Sequence, residues 1–99
     1  MPKKAAFEIR GKVVRYTADT ASWYFVYLDD RTTAAIRAAR TKTVGFQYVP
    51  VEATLGATVW RTTLFPTKEG PYLLALKARV RQAEGIREGQ MVSARLNLI

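Results

Sequence analysis

Apolar and polar residues alternate along most of the chain, and this period of two predicts β-strands. In the first strand Phe7, Ile9 and Val13 share one face. Gly11 lies on that same apolar face, where the missing side chain allows a bend or a close backbone approach. The pattern changes phase at Val13-Val14, and a β-bulge is one explanation.

Five further strands are predicted after a polar connection at residues 17–22. They cover residues 23–28, 46–55, 58–65, 72–76 and 91–98. The second is apolar on both faces, which indicates a central position in the sheet. Trp23 and Trp60 lie within strands, so we expect both to be core anchors. Pro50 cannot donate to a strand ladder and therefore indicates an edge or a bulge.

Two segments change to a helical pattern. The first helix is predicted over residues 34–40, after several N-cap candidates at residues 29–33. The second covers residues 77–84, with Gly85 and the apolar Ile86 placed as a Schellman motif requires. Gly56-Ala57 predicts a tight turn, and residues 66–71 form the clearest loop.

The order of these elements is strand, strand, helix, strand, repeated once. Residues 6–55 make the first unit and residues 58–98 the second. Two such units pair by pseudo-twofold symmetry into a closed barrel, which leaves no exposed sheet edge. We therefore predict a mainly β, single-domain protein over residues 1–99, a six-stranded barrel capped by two short helices. A chain of 99 residues fits one domain.

Composition restricts the chemistry. The chain has no Cys and no His, which excludes disulfides, thiolate nucleophiles, Ser-His-Asp catalysis and imidazole metal sites. We accordingly predict no metal and no cofactor. The longest apolar run, residues 23–28, is far too short to span a membrane, so we expect a cytoplasmic protein with no membrane partner. There are 16 Lys and Arg against 8 Asp and Glu, a net charge of +8.

Four segments carry a family resemblance: residues 60–66, 70–77, 80–86 and 89–92. With Phe7 and residues 23–26 in the first unit, they resemble the bacterial family DUF1905 over nearly the whole chain. The resemblance implies a small β-barrel, distantly similar to AbrB-like split barrels, and no established activity. The final turn reads Gly89-Gln90 where the family usually has Gly-Asp, which argues against a carboxylate role at that turn.

The first candidate site is a cluster of basic residues in the second unit. Its members are Arg61, Lys68, Lys77, Arg79, Arg81 and Arg87. Arg and Lys suit phosphate and carboxylate groups. For ligand binding we select Arg61, Lys68, Lys77 and Arg81, with Tyr72 on the rim. The alternative is that these residues are solvated and cover the barrel with their stems.

Three functions remain open at this point. The first is a non-catalytic binding or scaffold module that recognises an anionic ligand through its basic surface. The second is nucleic-acid binding or a regulatory barrel, because the positive charge attracts polyanions and exposed aromatic rings can stack on bases. The candidate rings are Tyr16, Tyr24, Tyr27, Phe46, Tyr48 and Tyr72, although strands apolar on both faces predict that most are core. The third is a small enzyme that uses carboxylate, Lys or Tyr chemistry. The adjacent acids Asp29-Asp30 are better explained as a helix N-cap.

Overall fold

The strands form one closed antiparallel barrel. The computed structural model of the chain describes residues 6–39, 48–68 and 70–99. The elements are β1 (Ala6–Ala18), β2 (Ala21–Tyr27), α1 (Asp30–Ala39), β3 (Val49–Leu55), β4 (Thr58–Phe65), β5 (Leu73–Ala75), α2 (Ala78–Glu84) and β6 (Met91–Leu98). Their order around the barrel is β1-β2-β5-β4-β3-β6. The predicted mainly β fold, with six strands and two short helices, is confirmed.

The barrel has the predicted pseudo-twofold arrangement. Exchanging β1 with β4, β2 with β5 and β3 with β6 maps every strand pair onto another pair of the barrel. Val26 and Leu74 are register partners at the centre of the β2–β5 pair. On either side of them, Leu28 N–H donates to Tyr72 O and Leu76 N–H to Tyr24 O, each at 2.8 Å. The two units are therefore joined about this point.

Alternate residues of each strand point inward and form one core. Val51, Leu64 and Leu96 are fully buried, and Trp60 is only 3 % exposed. Trp60 is thus a core anchor, as predicted. The same prediction for Trp23 is wrong, because Trp23 is 50 % exposed. In β2 the inward positions are those in phase with Val26, which places Trp23 on the outer face.

The long strand β1 pairs with two neighbouring strands, one along each part of its length. Its residues through Lys12 pair with β6, and from Val13 onward it pairs with β2. The change of pattern at Val13-Val14 marks this exchange of partners. The predicted polar connection at residues 17–22 is wrong, since Thr17 and Ser22 are register partners with hydroxyl oxygens 3.1 Å apart. A two-residue turn follows Ala18, so polar residues extend both strands beyond the barrel.

The ends of the helices follow from specific caps. Asp29 Oδ1 accepts the backbone N–H of Thr32 at 2.6 Å, so α1 begins at Asp30, earlier than predicted. Gly85 ends α2 in the left-handed region at φ 63°. Ile86 N–H donates to Arg81 O at 2.9 Å, and the Ile86 side chain is buried, which confirms the predicted Schellman motif.

Three predicted features lie outside the described residues: the helix end at Arg40, the start of the third strand at residue 46, and the aromatic candidate Phe46. Pro50 is the second residue of β3, where the pairing with β6 has not yet begun. Neither helix in the described ranges has the length and apolar character needed to cross a membrane.

Gly11 of β1 packs closely against β2. A Cβ atom at this position would lie 2.6 Å from Val26 Cγ1 and 3.1 Å from the carbonyl oxygen of Tyr27. Both contacts are shorter than van der Waals packing allows. The close approach predicted for Gly11 is confirmed.

We predict that Gly11→Ala destabilises the fold by about 1–3 kcal/mol, the usual cost of overpacking a core. The sign of the change in unfolding free energy is informative, because Gly→Ala at an unstrained position stabilises a protein by reducing the entropy of its unfolded state. Urea unfolding measures the change, with Ser93→Ala as an exposed control on β6. Combining Gly11→Ala with Val26→Ala removes the clashing methyl group. A double variant that is strictly additive would contradict the packing explanation.

A second prediction concerns the cap of α1. The hydrogen bond from the backbone N–H of Thr32 lowers the pKa of Asp29 below the ordinary 3.8. Because the folded-state pKa is the lower one, the stabilisation is present above pH 3.8 and is lost as the pH falls through the folded-state value. Asp29→Ala should cost about 1 kcal/mol at neutral pH. Asp29→Asn, which keeps an acceptor but does not titrate, should remove this pH dependence in urea unfolding.

Candidate functional site

Two of the predicted basic residues meet at a groove on the outside of the barrel. Lys77 is the N-cap of α2, and Arg81 follows one turn later. Both line a groove of about 370 Å³ between β2, β5 and the start of α2. This juxtaposition arises because two residues, Leu76 and Lys77, separate β5 from α2.

The remaining members of the cluster lie elsewhere. Arg61 is on the outer face of β4, where Glu52 of β3 is its register partner. Lys68 is exposed in the loop after β4, and Arg79 is exposed on α2. Arg87 lies in the last turn, where Gln90 Oε1 accepts its backbone N–H at 3.0 Å. Of the predicted cluster, Lys77 and Arg81 are therefore the described residues that line the groove.

Tyr72 does not lie on a rim. It is 2 % exposed and belongs to the core. The Arg37 guanidinium covers its ring at 5.2 Å from the centroid. Tyr72 precedes β5 in phase with Leu74, and this phase points inward. The placement of Tyr72 as an accessible ligand contact is therefore wrong.

The groove has aromatic walls that the sequence prediction missed. Trp23 and Phe25 come from the outer face of β2, and Phe65 comes from the end of β4. The other lining residues are Ser22, Tyr24, Leu73, Ala75, Leu76 and Ala78. Among the residues that the structure describes, none that lines the groove is an acid. The sequence did contain a signal for these walls. β2 carries large apolar residues on both faces, and because only one face of a barrel strand points inward, the other face must carry exposed rings.

Arg81 is held in a fixed position at the groove. Its guanidinium carbon lies 3.8 Å from the centroid of the Tyr24 ring. Its Nε donates to the carbonyl oxygen of Leu76 at 3.2 Å. A cation over an aromatic face is attracted by the ring quadrupole. These two contacts make Arg81 a pre-positioned cation, whereas Lys77 is an exposed charge on a flexible stem.

The pseudo-twofold axis relates the Arg81–Tyr24 pair to the Arg37–Tyr72 pair, whose surroundings differ. Arg37 of α1 covers Tyr72 as Arg81 of α2 covers Tyr24. At the α1 end, however, an Nη of Arg37 donates to Gly70 O at 2.7 Å and Tyr72 is buried. At the α2 end, Tyr24 is only partly buried and lines the groove. The symmetry is therefore broken at the groove.

The acids that make described contacts serve the fold. Glu84 Oε2 accepts the Thr58 hydroxyl at 2.6 Å and the Ala57 N–H at 3.3 Å, which fastens the end of α2 to the β3–β4 turn. Glu8 pairs with Arg95 at 3.2 Å, and Asp29 caps α1. Within residues 6–39, 48–68 and 70–99, no group of three or more acids gathers as a metal site would require.

We predict that Arg81 and Tyr24 are energetically coupled. In a double-mutant cycle, Arg81→Met and Tyr24→Leu should show a coupling of about 0.5–2 kcal/mol, the range of cation–π pairs. Arg79→Met is the matched control, because Arg79 is exposed on the same helix. Its combination with Tyr24→Leu should be additive in chemical unfolding. Equal coupling for both arginines would contradict a specific contact.

The fold defines the chain as a small closed barrel of two strand-strand-helix-strand units, with an aromatic and cationic groove beside its second helix. The sequence pattern of DUF1905, described as a domain of unknown function, matches residues 10–96. The chain belongs to this family. No curated protein matches the sequence.

Proposed function

We propose that this protein is a non-catalytic binding module that takes an anionic ligand with an apolar, ring-bearing part in the groove. The observation that carries the proposal is the lining itself. It combines Lys77 and Arg81 with the rings of Trp23 and Phe65, and the described part of the lining includes no carboxylate. Its volume of about 370 Å³ lies within the range of small-molecule sites.

The charges of the lining favour binding over catalysis. General acid–base chemistry needs a proton donor and a proton acceptor within reach of one reacting group. In the part of the chain that the structure describes, two cations and the Tyr24 phenol are the ionisable groups that line the groove. Two neighbouring cations can instead hold one anionic group, with a planar fork from Arg81 and a point charge from Lys77.

The location of the groove also supports this function. Ligand sites occur where structural units meet. The groove is formed by β2 of the first unit and by β5 and α2 of the second. We propose the cytoplasm as the place of action, in keeping with the expectation from composition.

The proposal predicts that charge and ring are needed together. Naphthalene-2-sulfonate should shift the amide resonances of Trp23 and Lys77 in an NMR titration. Uncharged naphthalene-2-methanol and inorganic sulfate should each bind more weakly. Lys77→Gln should weaken naphthalene-2-sulfonate binding about fivefold, the effect expected for an exposed charge.

The matched control is Arg10→Gln, which removes an exposed charge from the part of β1 that pairs with β6. Arg10→Gln should leave the affinity unchanged. Shifts confined to residues outside the groove, or equal losses in both variants, would count against the proposal.

A further inference from the structure

Exposed aromatic rings continue beyond the groove on both sides. Tyr16 of β1 lies against Trp23, with ring centroids 5.9 Å apart and planes 33° apart. On the other side Tyr48 packs edge-on against Phe65 at 5.4 Å. All four rings are exposed, in contrast to the buried Trp60. The groove therefore occupies the middle of a longer aromatic surface.

The strand pattern keeps these rings on the outside. Phe65, Leu73 and Tyr27 are register partners across β4, β5 and β2, in a row that alternates with the buried Leu64, Leu74 and Val26. Trp23 and Tyr16 are likewise partners across β2 and β1. The rings are thus attached to a rigid sheet, so they present their faces without first having to become ordered.

Positive charge lies among the rings. The bond from Leu76 N–H to Tyr24 O brings Lys77 level with Trp23, and Arg81 lies one helical turn further. Arg15 is adjacent to Tyr16 in β1, and successive strand residues point to opposite faces, so Arg15 lies on the face opposite the rings. Lys77 and Arg81 therefore supply the positive charge beside the rings.

Rings alternating with cations suit a ligand that has both planar faces and repeated negative charge. Single-stranded nucleic acid has unpaired bases that stack on aromatic side chains and phosphates that pair with Lys and Arg. A duplex hides the faces of its bases. A second copy of this chain would carry the same net charge of +8 and would be repelled.

We propose that this surface binds single-stranded nucleic acid, with bases stacked on Trp23 and Phe65 and phosphate held by Lys77 and Arg81. The inference rests on the function proposed above and specifies its ligand class. Recognition by stacking is tolerant of sequence, because every base has a π-face. The surface is therefore a strand-binding platform with little base preference.

The test is fluorescence anisotropy with a labelled twelve-nucleotide oligothymidylate at two salt concentrations. Competition with the duplex form of a twelve-nucleotide DNA and with inorganic polyphosphate separates stacking from charge. The single strand should bind at least tenfold more tightly than either competitor. Trp23→Ala and Phe65→Ala should each weaken binding about tenfold, the effect expected for loss of one stacked base. Trp23→Phe, which keeps a ring, should restore most of the affinity.

Two controls match these variants. Met91→Ala removes an exposed apolar side chain from β6, and Arg10→Gln removes an exposed charge. Both should leave the single-strand affinity unchanged. Circular dichroism and urea unfolding confirm that each variant is folded, and a ring-removing variant that unfolds is replaced by Trp23→Leu or Phe65→Leu.

The outcomes separate the two proposals. Equal binding of polyphosphate, duplex and single strand would overturn the nucleic-acid inference, as would equal losses in Trp23→Ala and Met91→Ala. If naphthalene-2-sulfonate binds at the groove and the oligonucleotide does not, the inference fails while the proposed anionic-ligand site stands. Failure of both probes overturns both.

Discussion

The pairing of β2 with β5 is the constraint on which the rest of the structure depends. β5 has only three residues, yet it is the strand that joins the first unit to β4 on this side of the barrel. The backbone bonds at Leu28 and Leu76 extend its pairing on both sides. Leu28 and Leu76 each lie between their strand and the helix that follows it, so each bond also fixes the point at which the chain turns into a helix. Closure of the barrel and placement of both helices therefore follow from one short strand pair.

The two helices reinforce this pairing by reaching across it. Arg37 belongs to the first unit and covers Tyr72 of the second, while Arg81 of the second covers Tyr24 of the first. Each arginine also donates to a carbonyl oxygen, Gly70 O or Leu76 O. A cation that is both stacked and hydrogen-bonded keeps its stem packed on the barrel. Each arginine thus holds its helix against a tyrosine of the other unit. The Arg81–Tyr24 pair also lines the groove.

Alternation and turn chemistry were enough to predict the barrel, because period, glycines and caps are local properties. The inward Val51, Leu64 and Leu96 and the Gly85 cap are of this kind. The candidate site is less predictable. The groove brings Lys77 and Arg81 together, whereas Arg61 and Lys68, which closeness in sequence groups with them, lie elsewhere. Trp23 and Tyr72 were assigned to opposite environments from those observed, since both faces of their strands are apolar. Which face points inward is decided by pairing with distant strands, and a single strand does not encode it.

The unequal ends of the pseudo-twofold have a consequence for ligand orientation. A perfectly symmetric barrel would offer two equivalent grooves, and its ligands would occupy them in two opposite orientations. Here Tyr72 is buried beneath Arg37, which donates to Gly70 O, whereas Tyr24 is only partly buried and lines the groove. A ligand contact at Tyr24 therefore has no equivalent at Tyr72. Under the proposed function, an elongated ligand in the groove meets an asymmetric surface and has one preferred direction.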